Sequence, residues 1–128
     1  MSEMDIEGAK ALKIAIYTQV LDLTEEEAQN FWPIFNEFEK KQTEIREEMN
    51  SIRKEVELKF KELSDKELEE KIDQMLALRK KEVELTEVYY AKYKTVLPIR
   101  KVALIHKAEM MYKRALLRKV REKHQGDR

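Results

Sequence analysis

The chain has 128 residues, 41% charged and 42% hydrophobic, with equal numbers of basic and acidic side chains. That length suits one small domain, and so much regularly spaced apolar residue argues against disorder. There is no cysteine, and the two glycines, Gly8 and Gly126, lie near the ends, so disulfides, zinc–sulfur centres and glycine-rich phosphate loops are excluded.

The first predicted helix spans residues 5–21, with Ile6, Ala9, Leu12, Ile16 and Val20 on its buried stripe. The second covers 25–61. Thr24 is its N-cap, and Glu27, three residues later, completes a capping box. Phe31, Phe35, Phe38, Ile45, Met49, Ile52, Val56 and Phe60 recur at spacings of three and four and mark one stripe. Pro33 removes the amide that would reach the Gln29 carbonyl, so a kink near 29–33 is expected rather than a stop, because the stripe continues. From Thr24 to Phe60 the pattern would run about 55 Å, against a radius of gyration near ~14 Å for a compact domain of this length. A stripe that long needs a partner, which points to a homodimer.

Ser64 and Glu67 form a second capping box that opens the third helix, 65–97. Leu68, Ile72, Leu76, Val83, Tyr90, Tyr93 and Leu97 are its expected seam, interrupted by Arg79 and Thr86. Pro98 suits the first turn of a fourth helix, 99–123, although helices three and four can also be read as one kinked rod. Val102, Ile105, Tyr112, Leu116 and Val120 form the fourth core stripe, and residues 124–128 should fray. No segment alternates with period two, so strands are not expected. The fold class is all-α, an elongated bundle of four helices built from long, kinked, antiparallel hairpins within one domain, 1–128.

Catalytic chemistry finds no support. The acidic runs Glu25–Glu27, Glu47–Glu48 and Glu69–Glu70 sit on solvated faces near Lys or Arg. His106 and Glu109 have the spacing of two metal ligands on one helix face, but a bundle centre needs more such residues opposite them. No catalytic residue, metal ligand or cofactor is assigned. Trp32 and the tyrosines are expected to pack the seams with hydroxyls reaching outward.

Charge is unevenly spread. Residues 98–128 hold ten basic side chains against three acidic ones, a balance of +7 on a body of −7. At 100° per residue, Arg100, Lys107, Arg114, Arg118 and Arg121 fall within about 60° of one another. Leu104, Met110, Met111 and Leu117 lie on or beside that stripe. The face is either solvated, with its aliphatic groups covered by a second subunit, or a cationic, apolar-studded surface for unfolded or acidic chains.

The run Leu23-Thr24-Glu25-Glu26-Glu27 resembles the LTxxQ motif of the Spy/CpxP family of bacterial envelope chaperones and stress proteins. The surrounding residues, from Ala11-Leu12-Lys13 to Gln29-Asn30-Phe31-Trp32-Pro33, are also similar to a branch of that family. So are Leu97-Pro98-Ile99-Arg100-Lys101-Val102 and the later Lys113-Arg114-Ala115-Leu116-Leu117. Glu27 stands where the motif has Gln, and no second copy of the motif is present. The resemblance implies a cradle-shaped antiparallel homodimer that holds unfolded proteins without ATP in the periplasm, or senses envelope stress. Metal sensing is not carried over, because the His-rich and Cys-containing segments of some relatives are missing.

The expected function is therefore non-enzymatic binding of unfolded or partly folded client proteins. Arg100, Leu104, Lys107, Met110, Met111, Arg114, Leu117, Arg118 and Arg121 would contact the client, and Leu23, Thr24, Glu27, Ser64 and Glu67 would cap helices. The alternative is a nucleic-acid-binding or regulatory protein that uses the basic C-terminal helix. Zero net charge and an acidic second helix count against it. No membrane insertion is expected, since no run is apolar enough. The acidic start after Met1 fits a cytoplasmic N-terminus or a chain whose export leader has been removed.

Overall fold

The computed structural model describes residues 3–126. All regular structure among them is helical: α1 (Glu3–Leu21), α2 (Glu25–Leu58), α3 (Asp65–Val96), the single turn α4 (Ile99–Val102) and α5 (Ile105–Gly126). The helices gather into two compact units, one from residues up to Phe31 together with those from Val96 onward, the other from Trp32 to Thr95.

Both capping boxes form as their i, i+3 spacing dictates. The Thr24 amide donates to Glu27 Oε1 at 2.9 Å, and the Glu27 amide donates to Thr24 Oγ1 at 3.1 Å. Ser64 and Glu67 repeat the exchange at 3.2 and 3.1 Å. Each box satisfies two backbone donors that the first helical turn would leave orphaned. α1 ends without glycine. Asp22 takes φ 50°, the left-handed region that aspartate tolerates better than most residues. Its amide donates to the Gln19 carbonyl and that of Leu23 to the Thr18 carbonyl, both at 3.3 Å. This is a Schellman closure with aspartate where glycine is usual.

In the first unit α1 packs against α5. Tyr17, Leu21, Phe31, Leu97, Val102, Ala108 and Tyr112 are buried there. Tyr17 and Phe31 stack at 6.5 Å between ring centroids. Ile6, expected in the buried stripe of the first helix, is exposed, and so is Val120 of the fourth-helix stripe. The stripe of α1 is rotated instead towards Tyr17 and Leu21, the two side chains in it that fill most volume.

The second unit is an antiparallel hairpin. Glu37 meets Tyr89, Arg46 meets Glu82 and Glu55 meets Lys71, pairs that advance along one helix while retreating along the other. α2 runs through Pro33 without stopping, as its stripe required. Its Phe35 and Ile45 are buried, and Phe38 meets the Tyr89 ring at 5.1 Å. Its own chain thus covers part of the α2 stripe, with Met49, Ile52 and Val56 half-buried.

The seam of α3 is displaced from the expected one. Leu68, Lys71, Met75, Leu78, Glu82 and Leu85 are half-buried and lead to the buried Tyr89 and Tyr93. Ile72, Leu76, Val83 and Tyr90 stand exposed. Lys71 and Glu82 can occupy the seam because each is neutralised across it, Lys71 by Glu55 at 2.8 Å and Glu82 by Arg46 at 3.4 Å, while their stems cover apolar neighbours.

Three boundaries differ by more than two residues or by a break. α2 ends at Leu58, not 61; residues 59–62 wind a separate turn, and Phe60 is 61% exposed outside the helix. The single helix expected over 99–123 is divided, because the Leu104 amide turns back to the Lys101 carbonyl, an i−3 bond that tightens the backbone before α5 begins. Residues 124–126, expected to fray, continue α5, and 127–128 lie outside the described residues. α3 and the next helix are separate elements, with Leu97 and Pro98 between them.

Thr24→Ala should lower stability by about 1 kcal/mol and Thr24→Ser should be nearly silent. Asp22→Ala should cost about 1 kcal/mol, while Asp22→Gly should be neutral or stabilising. Urea denaturation of the four variants checks both. A destabilising glycine at 22 would contradict the left-handed closure.

Candidate functional site

Two groups of residues in the first unit carry the chemistry. One is the junction behind the motif. Glu27 Oε1, already bound by the Thr24 amide, also accepts a hydrogen bond from Lys101 Nζ at 2.6 Å. The same ammonium reaches the Asp22 carbonyl at 2.5 Å. Lys101 therefore ties the end of α1 and the start of α2 to α4. The side chains of Glu27 and Lys101 are only 17% and 22% exposed, so this pair is better shielded than an ordinary surface bridge. The Lys101 hydrogen bond, helped by the Thr24 amide, holds the Glu27 carboxyl below its usual pKa. A glutamine here would accept the same bonds but leave the ammonium without a counter-charge. Leu23, between the closure and the cap, is half-buried.

Beside this junction the Tyr17 hydroxyl donates to Glu109 Oε2, joining α1 to α5. Lys13 Nζ lies over the Tyr112 ring at 4.6 Å. Tyr17 was expected to point its hydroxyl outward. Instead the whole side chain is buried and its hydroxyl finds a carboxylate 92 residues away. Glu109 is thereby engaged with Tyr17 and, at 3.7 Å, with Lys113, while His106 is exposed. Among the described residues no group of three or more His, Cys, Asp or Glu is arranged to hold a metal ion.

The other group is the outer face of α5. Met110 and Met111 are 39% and 41% exposed and Leu117 58%. Lys107, Arg114, Arg118 and Arg121 are exposed along the same helix, and none has an ion-pair partner among the described residues. Seven of the nine predicted contact residues share this helix. Arg100 does not: it is exposed on α4, and the break at residues 103–104 removes the helical phase that would have aligned it with Arg114. Leu104 sits half-buried in that break, its carbonyl capping the Ala108 amide at 3.0 Å. Ser64 and Glu67 belong to the second unit and serve only as a cap.

Two contacts were missed by sequence reasoning, Lys101 with Glu27 and Tyr17 with Glu109. Lys101 carries no local signal, as its partner is 74 residues away. Tyr17 had one, since it lies four residues before Leu21, the other fully buried side chain of α1. No described helix is long and apolar enough to cross a membrane. Comparison with known proteins returns no matching family model, no matching curated protein and no matching solved structure.

The lowered Glu27 pKa sets a pH dependence. Its stabilising effect is fully present above the ordinary carboxyl value of 4.5 and is lost as pH falls through that value and on through the lower folded one. Lys101→Met should therefore lower the melting temperature at neutral pH, and the gap to the wild type should narrow below about pH 4. Thermal melts across the acid range check this; a gap independent of pH would contradict the pairing.

Proposed function

We propose that this chain is a non-enzymatic, ATP-independent chaperone or envelope-stress adaptor that holds unfolded or partly folded proteins, as its resemblance to the Spy/CpxP family implies. The observation that supports this reading is the outer face of α5. It sets Met110, Met111 and Leu117 beside four basic side chains that have no ion-pair partner among the described residues. An unfolded chain offers apolar segments and acidic groups, and this face complements both. Unbranched methionine adapts to clients of varied shape, which suits a binder without one fixed ligand. The proposed compartment is the periplasm, on the resemblance alone.

The two components of the face should act at different stages. Long-range attraction speeds encounter and is screened by salt, whereas apolar contact governs release and is little weakened by it. Arg114→Glu with Arg118→Glu should slow capture of an acidic client and flatten its salt dependence. Met110→Ser with Met111→Ser should mainly quicken release. Light scattering and stopped-flow fluorescence on an unfolding acidic client measure these, with circular dichroism confirming that the variants fold. Unchanged capture and release in both folded variants would exclude this face as the client site.

A further inference from the structure

The hairpin of α2 and α3 carries an apolar trough of about 420 Å³ towards its turn. Ile52 and Val56 of α2 line it together with Ile72, Met75 and Leu76 of α3. Ile52, Val56 and Met75 are half-buried and make its floor, while Ile72 and Leu76 stand 60% and 55% exposed along one rim. The volume lies within the ~300–1,000 Å³ of small-molecule sites. Along α3 the trough runs from Lys71 to Arg79, about 12 Å at 1.5 Å per residue. A partner helix, roughly 10–12 Å across with its side chains, would seat barely two turns there. An extended hydrocarbon chain fits that length lengthwise.

The charge around the trough selects the ligand. Arg53, Lys71 and Arg79 line it against one acid, Glu57. The unit that holds it is acidic, with sixteen Asp or Glu against fourteen Lys or Arg over residues 32–95. Two other troughs on the hairpin follow that acidic bias. One, at Val83 and Tyr90, is lined by Glu82 and Glu87 and by no cation. The other, at Ile45 and Leu85, has three glutamates against two lysines. In the first trough Lys71 is occupied by Glu55 at 2.8 Å, but the arginines are not neutralised. Arg53 donates only to the Asn50 side-chain oxygen, at 3.0 Å. Arg79 has no hydrogen-bond or ion-pair partner among the described residues. Glu82, the acid three residues after it, is held by Arg46 at 3.4 Å. Arg79 also stands between Leu76 and Val83 in the apolar stripe, where an aliphatic side chain would serve helix packing better. An unpaired guanidinium beside an apolar trough offers a planar fork of donors that matches a carboxylate or a phosphate.

We propose that this trough binds a single acyl chain with an anionic head, the chain lying along Ile52, Val56, Ile72 and Leu76 and the head held by Arg53 and Arg79. The site belongs to the second unit and does not depend on client binding by α5.

Calorimetric titration of the full chain with laurate and with dodecyl phosphate, each below its micelle-forming concentration, tests it. Circular dichroism confirms that each variant folds. One molecule should bind per chain, and the tighter of the two ligands names the head as carboxylate or phosphate. Octanoate should bind about tenfold more weakly than laurate, because an open trough shields about half of each added methylene. Arg53→Gln with Arg79→Gln should weaken both anionic ligands about tenfold and leave binding of uncharged dodecyl maltoside unchanged. Ile72→Ser with Leu76→Ser should shrink the gap between laurate and octanoate. Met110→Ser with Met111→Ser should bind laurate as the wild type does. No saturable binding of either anionic ligand would overturn the proposal. So would an arginine variant that binds as tightly as the wild type, or adsorption of many molecules per chain shared by every variant. Loss of laurate binding in the methionine variant would put the ligand on α5 and overturn this site.

Discussion

The first unit depends on one carboxylate answering two donors from distant parts of the sequence. Glu27 closes the N-terminus of its own helix through the Thr24 amide and holds Lys101 of α4 at 2.6 Å. Lys101 in turn reaches back to the Asp22 carbonyl, in the residue whose left-handed backbone ends α1. Three chain segments thus converge on one charge-assisted cluster with little exposure. The chain has no interior glycine to turn sharply, so a polar junction performs that task and the helices can be long.

How much of this was legible depended on sequence distance. Both capping boxes were readable because their chemistry is complete within four residues. The all-α class followed from periodicity and the placement of glycine. Lys101 and Glu109 were not readable, because their partners are brought near only by the packing of α1 on α5. The α3 seam was misplaced for a different reason. Counting apolar residues selects Ile72, Leu76, Val83 and Tyr90, but the hairpin packs the stripe beside them, which contains Lys71 and Glu82. An ion pair across the seam lets a charged residue replace an aliphatic one, and an apolar count cannot see it. The tight turn at residues 103–104 hides in the same way, in a run whose composition is helical throughout.

That misplacement explains the surface. Once α2 and α3 satisfy each other through a seam with charged members, the aliphatic stripe of α3 is surplus to the fold. The outer face of α5 is surplus as well, for Tyr112, Ala108 and Val102 already supply the core beneath it. A protein selected only for stability has no use for exposed leucines and methionines in ordered rows, and contiguous exposed apolar surface marks interaction. The row on α3 is flanked by exposed charges of alternating sign, and the row on α5 by exposed charges of a single sign.

The junction ties together the segments of the first unit, so its cooperativity is the point to measure. A double-mutant cycle on Glu27→Gln and Lys101→Met, by urea denaturation at neutral pH, reports it directly. If the two side chains act as one cluster, the second substitution should add little to the loss caused by the first. Fully additive losses would mean that Glu27 serves only its own helix and that Lys101 contributes elsewhere, which would contradict the convergence of three segments on one carboxylate.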